Sequence, residues 1–256
     1  MKTMKNESAA PELYFFGMRA KYAGLLGGRN RSLIISYLRL RQLIGWLGIL
    51  LPAICVLGGR IFAGLPCQRS ISFYYHTNMR DFFCGILFVV AFFLITYKGD
   101  LTIDNIVTWA IGLAGIAVAL FPTQGPPCSP AHVGLFRVPA DISDIIHLTA
   151  AAIFFFLLAM NSLFLFTLSK HKVQPAGSRK KIRNVFYVAC GIVILLCLLL
   201  FPILKKTMGE DNFKQGSMVL ILESVMLAAF GVSWLIKGET IWRDRKEQAK
   251  QVTVSK

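Results

Sequence analysis

Long apolar runs separated by short polar segments set the layout of this chain. Six can be read, at 43–57, 82–97, 106–121, 145–168, 185–204 and 218–236. None carries the polar face that a helix in a soluble bundle turns to water. Each is predicted to be a membrane-spanning helix, which needs about 20 residues. The second and third runs are slightly short, so their helices must recruit polar flanks. For the second run the flank is Ser70-Ile-Ser-Phe-Tyr-Tyr-His-Thr-Asn-Met-Arg-Asp81, the densest polar and aromatic stretch of the chain. It is predicted to continue that helix outward. The reading is an all-α polytopic membrane protein with six transmembrane helices. A six-helix domain over 43–237 lies between a basic tail at 1–42 and a second at 238–256. Two apolar patches of the first tail, 13–16 and 33–35, are too short to span. Either the tail forms an interfacial helix or it stays disordered and acts by charge alone.

Composition agrees with the membrane class: 55% of residues are hydrophobic and only 16% charged. The net charge of +15 would point to nucleic acid in a soluble protein. No basic-aromatic recognition motif is present, and no nucleic-acid partner is expected. The charge instead follows topology. With the N-terminus inside, 21 of the 28 Lys and Arg fall in the segments 1–42, 98–105, 169–184 and 237–256. Only seven fall on the opposite side. This positive-inside bias predicts that both termini are cytoplasmic, with the lipid bilayer as partner and anionic lipids at the cytoplasmic face. The long basic start, with five more apolar runs after the first, excludes a secretory signal peptide.

The ionisable residues near the spans gather at one level, the predicted outer side. Were 72–81 helical, Ser72, His76 and Arg80 would share a face. Asp81 adjoins them. Asp144 and His147 share a face at the start of the fourth run, and Glu223 lies just inside the sixth. Together with Tyr75, these residues other than Ser72 are the candidate ligand-binding set. Ser72, Asp81 and Asp144 are the catalytic candidates. Imidazole and carboxylate also suit zinc, which would fall to His76, Asp144 and His147. A bland account stands beside each assignment. Tyr74 and Tyr75 fit an interfacial aromatic belt. Arg80 fits an ion pair with Glu223 or Asp144, and Ser143 or Asp144 fits a helix cap. Of the six cysteines, Cys67 and Cys128 fall in outer loops, where an oxidising compartment would allow a disulfide between them. Small residues four apart, Ala110/Ala114 and Gly115/Ala119, allow close packing of the third helix, and Asn161 and Ser162 are placed to bond across helices.

The 70–81 stretch, with Tyr97-Lys-Gly99, Ala119-Leu-Phe-Pro-Thr123 and Phe230-Gly-Val-Ser-Trp-Leu-Ile-Lys-Gly238, resembles a group of bacterial six-span membrane proteins of unknown function. That resemblance covers roughly 43–240. It implies a multi-pass protein of the bacterial inner membrane and brings no activity. A weaker resemblance is to transmembrane hydrolases of the alkaline ceramidase and adiponectin-receptor type. Those place a serine and a histidine four apart on an early helix, as Ser72 and His76 are, and two histidines four apart on the last helix, around zinc. The sixth run here has no histidine, and six runs replace seven. Two functions follow as expectations. One is a non-enzymatic protein whose outward-facing polar pocket binds a lipid headgroup, a small solute or an ion. The other is a metal-dependent hydrolase acting on a lipid. A proton-coupled carrier is disfavoured, because the middle of the spans lacks charge.

Overall fold

The computed structural model describes residues 11–99, 101–127, 129–167, 179–209, 213 and 216–240, with side chains from 37 onward except 179 and 180. The chain divides into two units, Met1–Leu40 and Arg41–Lys256. Of the first unit only the helical backbone from Pro11 and a few side chains at its end are described, so residues 1–10 and most side chains of the basic tail lie outside. So do the loop at 168–178, Cys128 and the tail beyond 240.

The described structure is almost wholly helical. Helix α1 is Pro11–Ala63, α2 Arg80–Thr96, α3 Thr102–Leu120, α4 Ala140–Met160, α5 Arg179–Met208 and α6 Met218–Lys237. A 3-10 turn at Ser72–His76 precedes α2, and a π-helical turn at Asn161–Leu165 extends α4. The two-residue strands β1 (His132–Val133) and β2 (Val138–Pro139) pair as a small antiparallel hairpin between α3 and α4. Five helical segments are long and apolar enough to cross a membrane: Tyr37–Ala63, Thr102–Leu120, Ala140–Leu165, Lys181–Met208 and Met218–Lys237.

The second apolar run is not among them, and its helix departs from the sequence-based expectation. Residues 72–79 do not extend α2. Thr77 is extended (φ −124°, ψ 179°), its hydroxyl donates to the Tyr74 carbonyl (2.8 Å) and accepts from Met79 N–H (3.1 Å), and α2 starts only at Arg80. A threonine hydroxyl that competes for local backbone groups ends one helical segment and starts the next. The resulting 17-residue α2 is about 26 Å long at 1.5 Å per residue, short of an ~30 Å hydrocarbon core.

Small residues let the helices approach. A Cβ on Gly45 of α1 would sit 2.7 Å from the Gly231 carbonyl of α6, and one on Gly112 of α3 would sit 2.6 Å from the Ala91 carbonyl of α2. The approach of α3 therefore runs through Gly112 and Gly115, with Ala114 and Ala119 buried beside them. Neighbours in sequence also pack in space: α2 on α3, α3 on α4, α4 on α5 and α5 on α6. The centre is filled by Leu51, Ile111, Phe154, Leu158, Ile194, Met226, Phe230 and Trp234, all nearly inaccessible. Successive helices alternate in direction. Residues 64–79, the described residues of 121–139, Phe213 and the start of α6 therefore meet at one end of the bundle, the loop end. The segment after α2 and the C-terminus of α6 meet at the other, the tail end. Ser162 donates to the Tyr187 carbonyl of α5 (2.9 Å), the interhelical bond expected of it. Asn161 makes none through its buried Nδ2.

Candidate functional site

Irregular backbone at the edge of an apolar bundle leaves amide and carbonyl groups that no helix ladder satisfies, and each costs free energy unless something bonds to it. At the loop end, side chains do this. The segment 121–124, just after α3, is held at consecutive atoms. His147 Nδ1 bonds the Phe121 carbonyl (2.7 Å), Ser143 Oγ donates to the Pro122 carbonyl (2.7 Å) and His76 Nε2 bonds the Thr123 carbonyl (2.8 Å). Gln124 N–H donates to Asp144 Oδ1 (2.8 Å), and the Gln124 carbonyl accepts from Arg69 Nη2 (2.6 Å). A carbonyl accepts only from N–H, so the neutral rings are the Nε2–H tautomer at His76 and the Nδ1–H tautomer at His147. His147 Nε2 is then a buried acceptor without a partner, as is the buried Thr123 hydroxyl.

A second cluster joins the 3-10 turn to α6. Glu223 accepts from Ile71 N–H at 2.5 Å and from Ser72 Oγ at 3.4 Å. Beneath it lies an apolar cavity of about 30 Å³ among Leu51, Phe83, Leu87, Phe154 and Leu227. Arg69 supplies the backbone counterpart: its carbonyl accepts from Leu220 N–H in the first turn of α6 (3.0 Å), satisfying an otherwise orphaned helix donor.

This arrangement corrects several expectations. Ser72, His76 and Arg80 share no face, because the helix breaks at Thr77: Ser72 turns to Glu223, His76 to Thr123, and Arg80 lies over the Tyr75 ring at 4.6 Å. Arg80 thus pairs with an aromatic ring and not with Glu223 or Asp144. Tyr74 and Tyr75 are buried in the protein and form no interfacial belt. Neither Ser143 nor Asp144 caps α4, since both reach the 121–124 segment instead. Asp81 is exposed in the first turn of α2. His76, Asp144 and His147 each address a different atom of that segment. Among the described residues, no group of three His, Cys, Asp or Glu side chains is placed to hold a metal ion. Cys67 is exposed, and its expected partner Cys128 lies outside the described residues.

Beside the gripped segment opens a pocket of about 250 Å³. Arg69, Asp144 and Lys205 bring charge to it, Ser70, Thr123 and Gln124 bring polar groups, and Leu148, Phe201, Pro202, Phe213 and Val219 form an apolar wall. Phe201 and Phe213 meet edge to face, centroids 6.2 Å apart. Arg69 also stacks over Phe73 at 4.2 Å. Burial lowers its guanidinium pKa, and nearby Asp144 opposes that shift. Desolvation lowers the His76 pKa as well, against the bond to Thr123 and with the repulsion of Arg69 and Arg80.

Of the seven residues expected to form the ligand site, only Asp144 lines this pocket. His76 and His147 brace the backbone beside it, Glu223 braces Ile71, Arg80 stacks on Tyr75, and Asp81 is exposed. Sequence reasoning missed Arg69, Lys205, Phe201 and Phe213. The available signal was that Arg69 and Lys205 belong to the seven basic residues outside the basic segments. Comparison with known proteins finds no matching family model, no matching curated protein and no matching solved structure.

Proposed function

We propose that this chain is a six-span protein of a bacterial inner membrane, with both termini cytoplasmic, that binds the polar headgroup of an amphiphile without chemical turnover. In this reading the loop end faces outward, α2 crosses where the bilayer is locally thin or the Tyr97 side extends it, and the loop-end pocket is the binding site. The observation that carries it is the pocket's lining, which combines the charged groups of Arg69, Asp144 and Lys205 with aromatic and aliphatic side chains. A lipid presents the same two chemistries, joined. The volume of about 250 Å³ is just below the ~300–1,000 Å³ typical of drug-sized ligands, which suits a headgroup with the start of its chains.

The test is native mass spectrometry of the full chain released from nanodiscs. Wild type is expected to retain one lipid, and Val219→Trp, which fills the pocket, to lose it. Equal retention by both would overturn the pocket as the binding site. For the topology, single cysteines introduced as Val133→Cys and Pro175→Cys are expected to label from opposite sides of the membrane. Labelling from one side would remove the six-span reading.

A further inference from the structure

Resting on that reading, we infer that the group bound in the loop-end pocket is a phosphoethanolamine, a primary ammonium and a phosphate two methylenes apart. The argument starts from Gln124. Its carbonyl takes a hydrogen bond from Arg69 and its N–H gives one to Asp144. A guanidinium and a carboxylate are thereby fixed on two sides of one residue. Given those two bond lengths and the span of a single residue, the bonded atoms lie no more than about 9 Å apart. Yet no ion pair joins Arg69 to Asp144. Opposite charges this close, on a partly buried surface, ordinarily collapse onto each other. Here each is tethered to backbone, so both charges line the pocket without cancelling.

A ligand of one sign meets this pair badly. An anion gains from Arg69 and Lys205 but is repelled by Asp144, and a cation gains from Asp144 but is repelled by both basic groups. A zwitterion whose two ends span the gap satisfies both. Asp144 Oδ1 already accepts from Gln124, and its second oxygen can take an N–H of a primary ammonium. Arg69 has donors beyond the one given to Gln124, and a phosphate is their natural acceptor. A trimethylated ammonium has no N–H to give. A glycerol headgroup brings no cation. The apolar wall at Leu148, Phe201 and Phe213 lies where the chains attached to such a headgroup would continue.

The full chain is equilibrated with mixed vesicles holding equal amounts of phosphatidylethanolamine, phosphatidylcholine and phosphatidylglycerol with identical acyl chains, and retained lipid is counted by native mass spectrometry. Wild type is expected to retain the ethanolamine lipid about tenfold over either other, the worth of one charge-assisted hydrogen bond. Asp144→Asn is expected to bring ethanolamine and choline lipids to within about twofold, and Arg69→Gln to weaken all three. A competition arm with soluble glycerophosphoethanolamine separates the sources. Displacement at matching concentration assigns the soluble ester, and no displacement assigns the lipid; both outcomes support the headgroup. Equal retention of the three lipids by wild type, or preference for the glycerol lipid, overturns the inference and leaves the pocket reading standing. No lipid retained above the Val219→Trp level overturns both. The wild-type ranking decides even if a variant fails to fold.

Discussion

The two ends of the bundle are held by different means. At the loop end, Arg69, His76, Ser143, Asp144, His147 and Glu223 each bond to main chain, mostly of segments that are not helical. At the tail end, rings meet rings: Trp234 touches Tyr97, Phe166 and Phe230, and Phe166 touches Tyr187, at centroid distances of 5.1–6.2 Å. Polar bonds are found there too, at helix termini and in the short connection after α2, where Gly99 N–H donates to Asn105 Oδ1 (2.7 Å). Arg41 donates to the Tyr97 hydroxyl (2.9 Å) and to the Lys237 carbonyl (3.3 Å), and Gln42 donates to the Gly238 carbonyl (2.8 Å). The difference follows the backbone. Where connections are irregular, unpaired main-chain groups must be answered by side chains. Where helices stop abruptly, area and shape suffice. Concentrated polarity near a membrane interface is therefore first a sign of irregular backbone. It becomes a candidate ligand site only where charges line an open pocket, as Arg69 and Asp144 do.

Four measurements break or sharpen this contrast. The largest effect is expected at the tail end. Trp234→Ala, in a fully buried ring cluster, should destabilise by about 3–5 kcal/mol in denaturation from detergent micelles, with lipid ranking unchanged. A loss below 1 kcal/mol would mean that the rings do not hold this end. Next, Glu223→Ala strands Ile71 N–H and should cost about 1–3 kcal/mol, with faster hydrogen exchange confined to 70–76. Exchange rising evenly along the chain would show that Glu223 acts on the whole bundle instead of that segment. Ser143→Ala removes one of several grips on 121–124 and should cost about 1 kcal/mol. Combined with His147→Phe, it should depart from additivity by at least about 0.5 kcal/mol, because both hold one rigid segment; strict additivity would deny the shared segment.

The smallest effect is a pH dependence at His76. Its pKa in the folded protein lies below the ordinary 6.5, so the unfolded chain binds the proton more readily. Its contribution to stability is complete above about pH 6.5 and is lost as pH falls through the lowered folded value. Thermal unfolding between pH 7 and 5 should show this loss, and His76→Gln should flatten it. A wild-type slope of opposite sign would contradict the depressed pKa.

Much of the fold was legible because apolar runs report burial directly. Five of the six runs coincide with helices long and apolar enough to span. The sixth, α2, was read correctly as apolar and wrongly as extended by its flank. Helical spacing of Ser72, His76 and Arg80 cannot reveal that Thr77 takes the Tyr74 carbonyl and ends the turn. The site was less legible. His147 and Glu223 stand out in sequence because ionisable groups in apolar runs are costly, and that cost is met by main-chain partners 26 and 152 residues away. Arg69 and Lys205 look ordinary in sequence, yet the segment after α1 and helix α5 carry them to the same pocket as Asp144 of α4. At the tail end Asp104 was overlooked, although it is buried and takes the Leu101 N–H at the start of α3.

The sequence alone determined that the chain is helical and membrane-like, where its apolar runs lie, and that its polar side chains crowd one end. Those properties depend on composition and on spacing along a single helix. Tertiary structure alone decided what the crowded side chains touch. The 70–81 stretch, read as one helix carrying one site, became a turn, a break and a helix start, with its polar groups sent to three different neighbours. Hydrogen bonds are directional and short, so which carbonyl or amide each group finds depends on where distant segments arrive in space.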